Sequence, residues 1–134
     1  MMPLLENPRW MTLTGRALSI ISILFLLLDA GMKLPPLAVV GETMAAMGWP
    51  ADAGTARMLG GITIAATLLY AWPRTALLGA ILLTGYLGGA IATHVRIASP
   101  LFSHILFGGY VALLLWGGLW LRSPALRALL PFRT

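Results

Sequence analysis

The chain has 134 residues, of which 59% are hydrophobic and 10% are charged, and its mean hydropathy is +0.89. Soluble domains carry about a quarter charged residues, so this composition excludes an ordinary soluble domain and indicates a protein surrounded by a lipid bilayer. The net charge of +5 does not indicate nucleic-acid binding, because the basic residues lie singly at the ends of apolar runs, where they meet lipid headgroups. The absence of cysteine excludes disulfides, thiolate metal sites and thiol–quinone exchange.

The first predicted span covers residues 15–34. It follows an arm, Met1 to Thr14, that lacks the order of basic, apolar and small residues found in a cleavable signal, so we expect this span to be retained. The apolar run from Ala17 to Leu28 carries no charge, and the adjacent prolines Pro35 and Pro36 end the helix.

Three further spans are predicted over residues 56–72, 75–95 and 101–121. The tight turn at Trp72-Pro73-Arg74 makes the second and third spans an antiparallel hairpin. The third span has no fixed charge before Arg96 and is about 30 Å long at about 1.5 Å per residue, which matches the hydrocarbon core of a bilayer. The break at Ser99-Pro100 separates it from the fourth span.

The segment between the first two spans, residues 37–49, is too short and too polar to cross a bilayer and predicts an interfacial helix. The predicted fold class is therefore all-α, an integral membrane four-helix bundle with a short interfacial helix between spans 1 and 2, forming a single domain over residues 1–134. Four spans place both termini on one side. Basic residues favour that side about two to one, which predicts cytoplasmic termini and a multi-pass protein of the inner (plasma) membrane. The terminal side carries Arg9, Arg16, Arg74, Arg122, Arg127 and Arg133, and the opposite side carries Lys33, Arg57 and Arg96.

Small residues predict the face on which the third span packs, because membrane helices associate through close backbone approach. Gly85, Gly88, Gly89 and Ala92 mark this face. At 3.6 residues per turn, the rotation from these residues to His94 slightly favours a His94 side chain that points to the lipid headgroups.

Asp29 and Lys33 are the first candidate site residues. They are four residues apart on the first span, in the order that favours a helical ion pair. A carboxylate at this depth is costly unless it faces the bundle interior or a wet cavity. The pair is interpreted either as a proton-handling or ligand-polarising site or as a packing element of the first span. Because Lys33 is nearer the helix end, we expect Asp29 to be the more buried partner.

His94 and His104 flank the turn between the third and fourth spans, and Arg96 lies between them in the chain. Imidazole exchanges protons near neutral pH and can hydrogen-bond a quinone carbonyl. The alternatives are a ligand site, anchoring at lipid headgroups, and a metal site, although the spacing matches no standard metal motif and none is expected. Tyr86 completes the candidates, since a mid-span hydroxyl needs a partner. No residue is assigned a catalytic role.

Several motifs resemble the DoxX-like membrane family. The run Lys33-Leu34-Pro35 followed by Met47-Gly48-Trp49-Pro50 resembles the loop after the first span of that family. Stretches of the third and fourth spans are similar to the DoxX-like branch, and the resemblance covers nearly the whole chain. These stretches are Leu83-Thr84-Gly85-Tyr86-Leu87-Gly88-Gly89-Ala90, Thr93-His94-Val95-Arg96, Pro100-Leu101-Phe102-Ser103-His104 and Trp116-Gly117-Gly118-Leu119.

The resemblance implies a small four-span inner-membrane protein, in a family whose name derives from a subunit of a thiosulfate:quinone oxidoreductase. It also implies a glutamate in the second span, where this chain has Thr63. Three functions follow as hypotheses: a redox-associated protein that binds quinone or another small apolar ligand, a non-catalytic accessory or scaffold protein, and a small-solute or proton transporter. A redox partner subunit or a second copy of the chain is the protein partner these hypotheses imply.

Overall fold

The computed structural model describes residues 7–35 and 37–132. Three predictions concern residues outside the described ranges: that Pro36 ends the first helix, that residues 1–6 form the start of an arm, and that Arg133 adds to the charge of the terminal side. The described residues form helices and short connections and include no strand. The prediction of an all-α fold is therefore confirmed.

Six α-helices and one π-helical turn follow one another along the described part of the chain. The first helix, α1 (Arg9–Lys33), begins six residues before the predicted span of residues 15–34. It starts directly after Pro8, and nothing interrupts the helix up to Lys33. The helix α3 begins at a capped position, where Asp52 accepts hydrogen bonds from Thr55 N and Thr55 Oγ1, and these bonds hold the pKa of the Asp52 carboxyl below its ordinary value. The elements are α1 Arg9–Lys33, α2 Ala38–Ala46, α3 Ala53–Ala71, α4 Ala76–Arg96, the π-helical turn Leu101–Ile105, α5 Phe107–Arg122 and α6 Pro124–Arg127.

Within residues 7–35 and 37–132, three helices are long and apolar enough to cross a membrane: Arg9–Lys33, Ala76–Arg96 and Leu101–Arg122, the last of which includes the π-helical turn. The helix α3 is not among them, because Arg57, three threonines and three glycines lower its apolar character. Two of those threonines, Thr63 and Thr67, are buried and bond to backbone carbonyls within the helix. The structure thus supports a multi-pass membrane protein with three apolar helices, and the fourth span stays a prediction.

The four long helices pack in the cyclic order α1, α3, α4, α5 and back to α1. Glycines lie where the backbones approach most closely, as expected when lipid provides no hydrophobic driving force between helices. A side-chain carbon on Gly118 would lie 2.9 Å from the Gly15 carbonyl oxygen, and one on Gly60 would lie 2.9 Å from the Ala30 carbonyl oxygen. Gly79 approaches the backbone of Tyr70 in the same way.

The predicted packing face of the third span is wrong. A side-chain carbon built on Gly85, Gly88 or Gly89 would meet nothing within 4 Å, so these glycines do not contact a neighbouring helix. The packed face instead carries the buried residues Ala76, Gly79, Ala80, Leu83 and Leu87. The physical reason is that a small residue permits a close approach without requiring one.

The first and the last described parts of the chain meet at one end of the molecule. Arg127 Nη2 donates to Asn7 Oδ1 at 2.7 Å, and its Nη1 donates to the carbonyl oxygens of Trp120 and Leu121, each at 2.9 Å. These bonds satisfy the last carbonyl groups of α5. The opposite end of the molecule therefore holds the end of α1, the helix α2, the end of α4 and the π-helical turn.

Candidate functional site

A cavity of about 510 Å³ lies at the end of the molecule opposite the termini. Its walls come from α1, α4, the π-helical turn and α5, with Leu59 contributed by α3, and the segment around α2 covers it. Five of the six predicted site residues line it, namely Asp29, Lys33, Tyr86, His94 and His104. The structure thus brings together residues that are up to 75 positions apart in the chain.

Lys33 connects the α1 pair to α4. Its ammonium forms a salt bridge with Asp29 and donates to Tyr86 OH at 3.4 Å, and it lies 5.9 Å from the centre of the Tyr86 ring. An ammonium has three donors, so one remains for a further acceptor. The Tyr86 hydroxyl accepts from Lys33, and its own proton has no acceptor among the described residues. Both groups can therefore donate into the cavity.

The relative burial of the ion pair differs from the expectation. The Lys33 side chain is 18% exposed, whereas that of Asp29 is 42% exposed. The prediction that Asp29 is the more buried partner is wrong, because the Lys33 ammonium bonds Asp29 and Tyr86 inside the bundle and the Lys33 Cβ lies close to Gly60 of α3. Both residues line the cavity, and Lys33 is the less exposed of the two.

His94 and His104 face each other across the turn between α4 and α5. Their ring centroids are 5.5 Å apart at an interplanar angle of 69°. Each Nδ1 is engaged by a serine hydroxyl, His94 with Ser99 at 3.0 Å and His104 with Ser103 at 2.7 Å. Each Nε2 has no partner among the described residues. The expected outward rotation of His94 is therefore wrong, since it was counted from glycines that do not pack.

Aromatic and sulfur-containing side chains form the apolar walls. Phe25 and Phe107 contact each other edge to face with ring centroids 5.4 Å apart. Met44, which is 3% exposed, lies over the cavity together with Met47 and Trp49. Flexible thioethers and flat rings adapt well to a planar apolar guest.

Arg96 is the predicted site residue that the structure does not place on the cavity wall. Its guanidinium lies against Gly48, where a side-chain carbon would be 2.8 Å from Arg96 Nη2. Gly48 has a φ of +80°, which glycine adopts without strain. Arg96 thus contacts the segment that covers the cavity.

Two other features among the described residues bear on ligand and metal binding. No group of three His, Cys, Asp or Glu side chains is placed there to hold a metal ion. A second cavity of about 450 Å³ lies between α2 and the start of α3, and its polar groups include the carboxylates of Glu42 and Asp52. It contains no histidine, lysine or aromatic residue.

Comparison with known protein families matches residues 17–118 to the DoxX-like family. The match begins within α1 and ends within α5, and it includes every residue on the cavity wall. The chain belongs to the DoxX-like family. Comparisons with curated proteins and with solved structures gave no significant match.

In this DoxX-like chain, Thr63 occupies the position where the resemblance implies a glutamate. Thr63 is fully buried, and its hydroxyl donates to the Leu59 carbonyl oxygen at 2.9 Å. It does not line the cavity, although Leu59 one turn earlier does. Asp29 is consequently the acidic residue of the cavity wall.

A second cluster of polar side chains, which was not predicted from the sequence, lies at the end of this DoxX-like chain's bundle opposite the cavity. Arg122 Nε donates to Ser19 Oγ at 3.2 Å, and Ser19 lies 2.8 Å from Tyr70 OH, which donates to the Leu115 carbonyl oxygen at 2.5 Å. Because the Tyr70 proton goes to Leu115, Ser19 donates to Tyr70. The sequence signal for this cluster was Tyr70 within the second predicted span, just as Tyr86 within the third predicted span was a signal for the cavity.

Proposed function

We propose that this protein is a four-span, redox-associated membrane protein that binds a small ring-bearing apolar ligand of the quinone class. The cavity walled by Lys33, Tyr86, His94 and His104 is the proposed site. The proposal includes an inner-membrane location, cytoplasmic termini and electron exchange with a partner protein. It places the site at the outer end of the molecule.

The observation that carries the proposal is the set of unused hydrogen-bonding groups in the cavity. Lys33 retains one N–H, Tyr86 retains its O–H, and each histidine retains Nε2. The first two are donors, and an imidazole nitrogen becomes a donor on protonation or tautomer exchange. A ligand that satisfies them must offer acceptor oxygens, as the carbonyl groups of a quinone do.

The apolar part of the cavity supports the same class of ligand. Its volume of about 510 Å³ is within the usual range for small-molecule sites, about 300–1,000 Å³. Phe25 and Phe107 provide ring faces and edges beside the polar groups. A planar ring with oxygens at its edge matches both kinds of wall.

The polar side chains of the cavity also take part in proton exchange with the proposed ligand. Reduction of a quinone to a hydroquinone takes up two electrons, which the proposal assigns to the partner protein, and two protons. The imidazoles of His94 and His104, the Tyr86 hydroxyl and the Lys33 ammonium all carry exchangeable protons beside the same space. Asp29 holds the Lys33 ammonium in place.

The accessory role is the second candidate, and one observation favours it: Asp29 pairs with Lys33, and each histidine already bonds a serine. In that case the polar groups would serve only to position helices. A transporter receives less support, because buried apolar residues close the interior between the cavity and the termini. These residues include Leu26, Leu83 and Leu115.

Native mass spectrometry of the protein, purified in mild detergent from quinone-containing membranes, tests the proposal. We expect the wild-type protein to carry a bound quinone, and the Lys33→Met and His94→Phe/His104→Phe variants to lose it. Tyr110→Phe is the matched control, because Tyr110 lies on α5 outside the cavity wall and bonds the Phe102 carbonyl oxygen. A wild-type protein that binds no quinone, even when the quinone is added in excess, would support the accessory role instead.

A further inference from the structure

Two positions of α4 on the cavity wall carry no side chain. Gly85 and Gly89 of α4 both line the cavity, and both are exposed. A side-chain carbon at either position would meet no other group within 4 Å. The cavity is therefore open at this point of the α4 surface, instead of being closed by a packed neighbour.

The depth of these glycines places the opening within the bilayer. Gly85 lies about 14 Å along the helix axis from Ala76 and about 17 Å from Arg96, at about 1.5 Å per residue. Since α4 is one of the three helices apolar enough to span, Gly85 is near the middle of the hydrocarbon layer. Its neighbours on the outer surface, Ile81 and Leu82, are exposed and apolar.

The opposite rim of the cavity, towards the end of the molecule, is covered. Met44 is 3% exposed and lies over the cavity with Met47 and Trp49. The Arg96 guanidinium lies against Gly48 in the same covering segment. A large molecule arriving from water would have to displace this segment, whereas one dissolved in the bilayer meets an opening.

We propose that the ligand carries an apolar tail and that Gly85 and Gly89 form the passage through which this tail reaches the bilayer. This inference rests on the function proposed above and specifies its ligand as a lipid-dissolved amphiphile with a ring-bearing head. The head lies among Lys33, Tyr86 and the histidines, and the tail lies across the two glycines. The absence of side chains at positions 85 and 89 then selects ligands with a tail over tail-less analogues of the same ring.

Binding of two probes to the detergent-solubilised full chain tests the inference. One probe is a 1,4-benzoquinone with a ten-carbon alkyl chain, and the other is the same ring with a methyl group instead. The variants are Gly85→Leu and Gly89→Leu, which place a side chain in the passage. Gly88→Leu is the matched control, because Gly88 is equally open but does not line the cavity.

We expect Gly85→Leu and Gly89→Leu to lower the ratio of long-chain to methyl-probe affinity by about tenfold, since an added side chain overlaps the tail. Gly88→Leu should keep the wild-type ratio. An unchanged ratio in both cavity variants, with the wild type binding both probes, would overturn the passage while leaving the proposed function intact. Wild-type protein that binds neither probe would overturn the proposed function itself. Because leucine favours helix more than glycine does and meets no neighbour here, we expect the variants to fold, which their melting temperatures will verify.

Discussion

Gly79 of α4 packs directly on the backbone of Tyr70 in α3. A side-chain carbon at position 79 would overlap the Tyr70 amide nitrogen and lie 2.8 Å from the Ala66 carbonyl oxygen. Tyr70 itself is fully buried. This contact fixes the spacing between α3 and α4 near the termini and leaves the other ends of the helices to enclose the cavity.

The Gly79 contact predicts a large difference between two glycine substitutions in one helix. Gly79→Ala should destabilise the protein by about 1–3 kcal/mol, because backbone atoms cannot move aside as a flexible side chain can. Gly88→Ala, which meets nothing within 4 Å, should be neutral or stabilise by up to about 1 kcal/mol through helix propensity. Thermal unfolding in detergent measures both. Equal stabilities of the two variants would show that α3 and α4 do not approach at Gly79.

Tyr70 provides a second stability prediction. Tyr70→Phe removes the hydroxyl that accepts from Ser19 and donates to the Leu115 carbonyl oxygen, in the buried interior. We expect a loss of about 1–2 kcal/mol, the usual effect of deleting a buried hydrogen-bonding group. Tyr110→Phe, which removes an exposed hydroxyl, should change stability by less than about 0.5 kcal/mol. If the two variants unfold together at the wild-type temperature, the buried bond is absent.

The Asp29–Lys33 pair predicts an asymmetry between its partners. Asp29→Ala leaves the enclosed Lys33 ammonium with Tyr86 as its remaining partner, whereas Lys33→Ala leaves a carboxylate that is 42% exposed. Asp29→Ala should therefore be the more destabilising change and should lower the free energy of unfolding by about 1–3 kcal/mol. This loss is smaller than for a fully buried pair because the Asp29 side chain is partly exposed. The double variant Asp29→Ala/Lys33→Ala should lose less stability than the sum of the losses of the two single variants, and the difference is the coupling energy of a double-mutant cycle. A zero coupling energy would contradict the pairing.

Run length and helix-breaking residues predicted most of the helical segments. The third predicted span, residues 75–95, differs from α4 (Ala76–Arg96) by one residue at each end, because proline and charged residues bound it. The predicted helix after the first span corresponds to α2 (Ala38–Ala46). The prediction that α3 also spans rests on its length and on its place between α1 and α4, since its hydroxyls and glycines weaken the apolar signal.

Helix rotation could not be predicted from residue size. Gly79 packs against a backbone and Gly85 opens into a cavity, although both are glycines in one helix. Their difference depends on where α3 and α4 diverge, which local sequence does not encode. For the same reason, the predicted orientation of the His94 side chain was wrong. The proximity of His94 to His104 followed from the short turn between the two helices alone.

The orientation in the membrane is a separate prediction. Fusions of a periplasmic reporter and a cytoplasmic reporter at Pro50 and after residue 134 should report opposite sides, with the C-terminal fusion in the cytoplasm. The physical reason is the excess of arginine at the terminal end, where Arg9, Arg16 and Arg127 lie. Both fusions on the same side would exclude α3 as a span.

Photolabelling tests the central claim, that the cavity binds a quinone, most directly. The probe is a ten-carbon alkyl benzoquinone with a photoreactive azide on its ring, applied to the protein in lipid vesicles and followed by peptide mapping. We predict labels within residues 85–94 and 101–111, where α4, the π-helical turn and α5 line the cavity, and suppression of these labels by excess unlabelled quinone. Labels on lipid-facing residues such as Leu28 and Leu113, unaffected by the competitor, would contradict a quinone site in this cavity.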